Sequence, residues 1–155
     1  MAEITREDFS RALLAILAET FEGPAGSMYL DKDAGLFRTL DAVTAQAASH
    51  APSPGAQTIA AHCAHLAYYV RVNHDGLLGR EPHYDWPSSW QPQQVGDREW
   101  DALTRRVRHE YDALVETLRR LETWDAHHIG DSMAIVAHTA YHLGAIRHVL
   151  KNMER

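Results

Sequence analysis

Apolar residues recur along this chain at spacings of three and four, and polar or Gly/Pro breaks separate the runs, which is the signature of packed helices. Phe9, Leu13, Ile16, Leu17 and Phe21 make the first stripe. Thr5, Glu7 and Asp8 supply a hydroxyl cap and acidic residues for its first turn, and Gly23-Pro24-Ala25-Gly26 stops it. In the loop that follows, Met28 and Tyr29 are expected to pack back onto the helices. Asp33 to about Ser49 reads as a second helix with Leu36, Phe37, Leu40 and Val43 inside. After the stiff connection Ala51-Pro52-Ser53-Pro54-Gly55, Thr58 caps a third helix. Its seam is Ile59, Cys63, Leu66, Val70 and Leu77, with Asn73 on it and His62 and His65 beside it, and Gly76 and Gly79 end or loosen it.

Pro82 to Pro92 is polar and proline-rich and reads as an irregular loop. Its Tyr84, Trp86 and Trp90 will not lie free in water, so the loop is expected either to cover one end of the helices as a lid or to be a packed crossover. Asp97 caps a fourth helix, whose Trp100, Leu103, Val107, Tyr111, Leu114, Leu118 and Leu121 form the cleanest amphipathic stripe; Glu110, Asp112 and Glu116 read as its solvated face. Glu122 to Ile129 is a connector, with His127 and His128 in solvent, and Asp131 or Ser132 starts the last helix. There is no repeat and no convincing strand. The pattern predicts a single all-α domain over residues 1–155, a four-helix bundle with an additional short helix and a long aromatic loop.

Composition changes this picture little. Apolar residues make up 45% and charged residues 23% of the 155 positions, an ordinary globular balance. Net charge is −6, with 15 Lys and Arg against 21 Asp and Glu and no basic stripe, which argues against a nucleic acid or an anionic membrane as partner. No apolar run approaches the ~20 residues of a membrane span, and the charged N-terminus has no signal-peptide core. The single cysteine, Cys63, excludes an intrachain disulfide and fits a reducing cytoplasm, the expected location. On the seam it reads as a small core residue.

Eleven histidines are the unusual figure. His138 and His142 lie on the last helix, about 40° apart around its axis. They share the apolar face of Ile135, Ile146, Val149 and Met153. Imidazoles on an inward face need partners, at a cost of about 1–3 kcal/mol otherwise, and a shared divalent metal satisfies one nitrogen on each. The third helix supplies the remaining candidates. His62 lies about 60° and His65 about 120° from the centre of the seam, so periodicity favours His62 and leaves His65 open. His148, about 240° round from His142, leaves another face. Gly144, in mid-helix two residues after His142, reads either as a close helix approach beside the site or as a packing glycine.

Thr58-Ile59 followed by His65-Leu66, then Trp86-Pro87-Ser88-Ser89-Trp90, then Ala137-His138-Thr139-Ala140-Tyr141-His142-Leu143-Gly144-Ala145-Ile146-Arg147, resembles the DinB/YfiT-like superfamily over nearly the whole chain. The resemblance implies a four-helix bundle, a homodimer, and a divalent metal on His65, His138 and His142, and it selects His65 over His62. Three neutral imidazoles leave coordination positions for water or substrate, as catalytic sites do. Zinc and nickel both suit the nitrogen set. By residue type, Asn73 and Tyr141 are candidates to orient the ligands. The implied function is a metal-dependent enzyme that activates a low-molecular-weight thiol or water against a small electrophile, as a transferase or hydrolase. The competing expectation is a non-catalytic metal site serving folding, sensing or dimerisation.

Overall fold

The computed structural model describes residues 4–26, 28–32, 34–81 and 84–153. Expectations for Asp33 as a helix start, for Pro82 as a loop start and for residues 1–3 lie outside the described residues. Every regular element is helical: α1 (Arg6–Glu22), α2 (Leu36–Asp41), α3 (Ala45–Ala48), α4 (Ile59–Leu77), a 3-10 turn (Ser88–Trp90), α5 (Asp97–Arg120) and α6 (Ala126–Met153). Of the four long helices, α4 packs on α5 and α6, and α1 packs on α6 and α5, so the four enclose one core. No helix among the described residues is long and apolar enough to cross a membrane.

Hydroxyl caps place two of these helices where expected. Thr5 accepts the Asp8 N–H at 3.1 Å, and Thr58 accepts that of Ala61 at 3.1 Å. Gly23 ends α1 with φ of 107°, in the left-handed region that favours glycine. A Cβ on the facing Gly35 would overlap the Gly23 backbone, so the chain turns from α1 into α2 through two glycines in contact.

Four boundaries differ from expectation. The second helix is two pieces, because Thr44 accepts the Ala47 N–H as a cap, with extended backbone that cannot continue a helix. The Val43 carbonyl in the break instead accepts the Trp100 Nε1–H at 2.8 Å. The aromatic loop contains a regular element after all, the 3-10 turn that follows Pro87. Helix α5 is capped at Gly96, whose N–H donates to the Glu99 carboxylate at 2.8 Å; Asp97 is already helical. Helix α6 begins a turn and a half early, because the Asp125 carboxylate accepts the His128 N–H at 2.9 Å and so caps the segment read as a connector. His127 and His128 are helical, the second only half exposed beside Asp125.

Two carboxylates are buried, and one of them, Glu110, was expected on the solvated face. Glu110 is buried on α5, and burial pushes its carboxyl above the usual range, with Arg106 opposing. Glu19 is buried on α1 and accepts the N–H groups of Met28, Tyr29 and Leu30 at 2.6–2.8 Å. Burial pushes the Glu19 carboxyl up, but these donors outweigh it and hold it below the usual range. The loop after α1 is therefore fixed through its backbone. The Met28 and Tyr29 side chains stay largely exposed, Met28 at the border of the apolar surface between α1 and α6, and the Tyr29 hydroxyl reaches back to Thr20 at 2.6 Å.

Candidate metal centre

Helix α4 carries His62, His65 and Tyr69 on the face turned toward α6, which answers with His138 and His142. Four imidazoles meet in that seam. His65, His138 and His142 each offer a nitrogen within 4.8 Å of the others'. The Nε2 atoms of His138 and His142 are 3.0 Å apart. With metal–nitrogen bonds of about 2.0–2.1 Å, two neighbouring ligand nitrogens stand about 2.9–3.4 Å apart at coordination angles of about 90–109°, so this spacing suits one shared ion. The donor set fits a borderline divalent cation such as zinc or nickel.

His62 is not one of the three. Its Nδ1 lies 2.9 Å from Nδ1 of His142, behind the ligand face. Seam periodicity correctly puts it inside, but at that depth it meets the back of His142, while His65, further round the helix, reaches the gap beside His138. Ring contacts hold the set: Trp90 stacks on His65 with centroids 4.0 Å apart and planes 7° from parallel, and Tyr69 stacks on His138 at 3.7 Å and 14°. Tyr69 escaped the sequence reading. Its signal was position, four residues after His65 and therefore one turn along the same face.

The aromatic loop reaches the site through the 3-10 turn, which packs on α4. Ser89 is buried and lies 2.6 Å from Nδ1 of His65. Trp90 also edges onto His62 and His142, whereas Trp86 stands further out among Tyr68, Tyr69 and Tyr84. Thr58 donates to the Gln93 carbonyl at 2.8 Å, and Tyr68 accepts the Asp85 N–H at 2.6 Å, so the loop is tied down on both sides of the turn. The two residues expected by type to orient ligands do something else. Asn73 donates to the carbonyl of Tyr69 within its own helix, and Tyr141, 66% exposed, meets His142 through its ring, edge-on with centroids 5.1 Å apart. Cys63 is fully buried and burial pushes its thiol up, so it is a core residue and no nucleophile. His148 is exposed, on another face.

Burial keeps the imidazoles neutral, the form that binds metal. Desolvation first, then the neighbouring His138, His62 and His65, push His142 down to about 2; burial, then His65, push His138 to about 4. Burial likewise lowers His65 and His62. In the unfolded chain these groups regain a pKa of about 6.5. Metal-free protein is therefore expected to be most stable above about pH 6.5. It should lose stability as the pH falls from there toward 4, because the unfolded state takes up protons that the folded seam refuses. For fully buried His142 the slope is roughly 1.4 kcal/mol per pH unit. Urea midpoints of chelator-treated protein at pH 7.5, 6 and 5 check this, and equal midpoints would contradict it.

Gly144 is neither a close approach nor a packing residue, since a Cβ there meets nothing within 4 Å. Gly144→Ala is expected to raise stability by about 0.5–1 kcal/mol, the helix-propensity gain alone, and to leave metal affinity unchanged. Thermal melting and metal titration of the same preparation test both halves.

Comparison of the chain with protein-family models, with curated proteins and with solved structures found no match.

Proposed function

We propose that the chain is a DinB/YfiT-like four-helix bundle that holds a divalent metal on His65, His138 and His142 and uses it in catalysis. The observation that carries this reading is the convergence of three neutral imidazoles from two helices within 4.8 Å. When bound, the ion supplies Lewis acidity that lowers the pKa of a thiol or water beside it toward neutrality. The chain's own part is to hold the nitrogens unprotonated, to shield His142 fully from water, and to leave His138 half-buried against the Tyr69 ring. The substrate is a small electrophile, attacked by a low-molecular-weight thiol or by water.

Metal analysis of protein purified without a nickel column, followed by a thiol-conjugation screen, tests this. His65→Ala and His138→Ala should each lose metal and turnover together, whereas full activity in metal-free protein rules the reading out. A second reading is favoured by His142 itself, whose complete burial among three other imidazoles gives a metal a purely structural benefit: a large drop in melting temperature with chelator and no reaction would select it.

The proposal includes a second copy of the chain as partner. An apolar groove of about 300 Å³ runs between α1 and α6, lined by Phe9, Ile16, Met28, Met133, Val136 and Ala137 among others, none of them charged. Met133, Ala137 and Tyr141 continue it along the exposed face of α6 at intervals of four. A surface without charges meets its own copy without burying any. Sedimentation at micromolar concentration should read a dimer, and Ala137→Asp a monomer.

A further inference from the structure

We infer that Ser89 and His62, neither of which contributes a ligand, set the tautomers of His65 and His142 and thereby decide which nitrogens face the metal. The inference rests on the metal reading above and concerns residues that reading leaves idle.

The argument is a proton count. Ser89 has one hydroxyl proton. Its Oγ lies 2.5 Å from the Trp86 carbonyl, which can only accept, so the hydroxyl donates there. The Ser89 oxygen then has only lone pairs left for Nδ1 of His65, 2.6 Å away. That contact is a hydrogen bond only if His65 carries its proton on Nδ1. Its Nε2 is then bare and free to bind metal. A buried serine on a 3-10 turn, anchored by a tryptophan carbonyl, so fixes a ligand of α4.

His142 is set from the other side. Its Nε2 faces Nε2 of His138 at 3.0 Å, and its Nδ1 faces Nδ1 of His62 at 2.9 Å. Without metal, two proton arrangements satisfy this row, one running from His62 toward His138 and one running back. An ion held by both facing Nε2 atoms would exclude the proton that lies between them in either arrangement, so His138 would carry its proton on Nδ1 and only one direction would remain for the bond between His142 and His62. His142 must then hold its proton on Nδ1 and donate it to Nδ1 of His62, whose own proton sits on Nε2. His62 is thus the acceptor that lets fully buried His142 turn a bare nitrogen to the ion, in the way outer partners commonly orient metal-binding histidines.

The experiment compares zinc and cobalt affinities, by competition with a chromophoric chelator, for wild type, Ser89→Ala, His62→Leu and His62→Asn. Leucine keeps the size of His62 without an acceptor; asparagine keeps an acceptor at the position of Nδ1. Ser89→Ala and His62→Leu should each weaken binding 10- to 100-fold, and His62→Asn should stay within a few-fold of wild type. A purely space-filling role predicts the reverse order for Leu and Asn. In parallel, nitrogen-15 spectra of the metal-free protein should find the His65 proton on Nδ1 in wild type and released from that preference in Ser89→Ala. Wild-type affinity in both Ser89→Ala and His62→Leu overturns the inference, as does a His65 proton on Nε2. If wild type binds neither ion, the metal reading fails, and the His65 tautomer alone decides the role of Ser89. If His62→Leu does not fold, the Ser89→Ala affinity and the tautomer decide.

Discussion

His142→Ala is expected to abolish specific metal binding, weakening zinc affinity well beyond the ten- to hundredfold that losing an outer partner costs. His142 is the only one of the three histidines that is wholly shielded from solvent, and it stands next to both His138 and His62. Its loss leaves two nitrogens, too few for a stable site. The effect reads out in stability as well. Metal at a thousandfold excess over its Kd adds about 4 kcal/mol to a protein that binds it only when folded. Wild type should gain that much on saturation and His142→Ala nothing. Without metal the two differ in slope: the variant lacks the group that resists protonation most strongly, so its stability should fall less steeply below pH 6.5. A variant that retains one tightly bound zinc per chain would remove His142 from the site.

Phe21→Ala is expected to cost about 3–5 kcal/mol, the range for truncating a buried phenylalanine that cannot be replaced by local collapse. Phe21 is fully buried at the end of α1, stacked on Tyr111 of α5 at 4.5 Å and tilted against Phe37 of α2 at 5.6 Å. The Tyr111 hydroxyl is held by the Glu22 carboxylate beside it, so the ring cannot swing into the space. Three helices lose a common contact at once. The three histidines proposed to hold the metal sit on α4 and α6, so zinc affinity of the folded fraction should not change. Urea unfolding monitored with and without zinc measures both, and a loss under 1 kcal/mol would show that this cluster is not a keystone of the core.

Helix starts were legible where one hydroxyl does the capping. Thr5 and Thr58 act within three residues of themselves, so local spacing finds them. Thr44 works by the same chemistry, yet the apolar residues on either side keep helical spacing across it, and the break is settled by Trp100, more than fifty residues on, taking the Val43 carbonyl. The start of α6 was obscured because its first turn, Ala126 to Ile129, has two histidines at its centre and no apolar stripe; the cap is a single carboxylate on Asp125. At the site, the pair on α6 was visible from its four-residue spacing. The choice between His62 and His65 was not, because both lie inside and only the position of α6 separates the front of His142 from its back. Ser89 stands inside the Trp86–Trp90 stretch, but nothing local marked it as a partner of His65, because that contact is made twenty-four residues back along the chain.

Because the strand of chain after α1 is gripped by main-chain N–H groups, the Glu19 carboxylate is indifferent to which side chains stand at Met28 and Tyr29. Sequence drift should therefore be permitted at the first of these and largely at the second, while position 19 tolerates almost no exchange, glutamine included, since a neutral amide presents one acceptor where three donors wait. A saturation library scored for folded yield should show this asymmetry: a nearly flat profile at Met28, outside on the surface, beside a single sharp preference for glutamate hidden a few ångströms away.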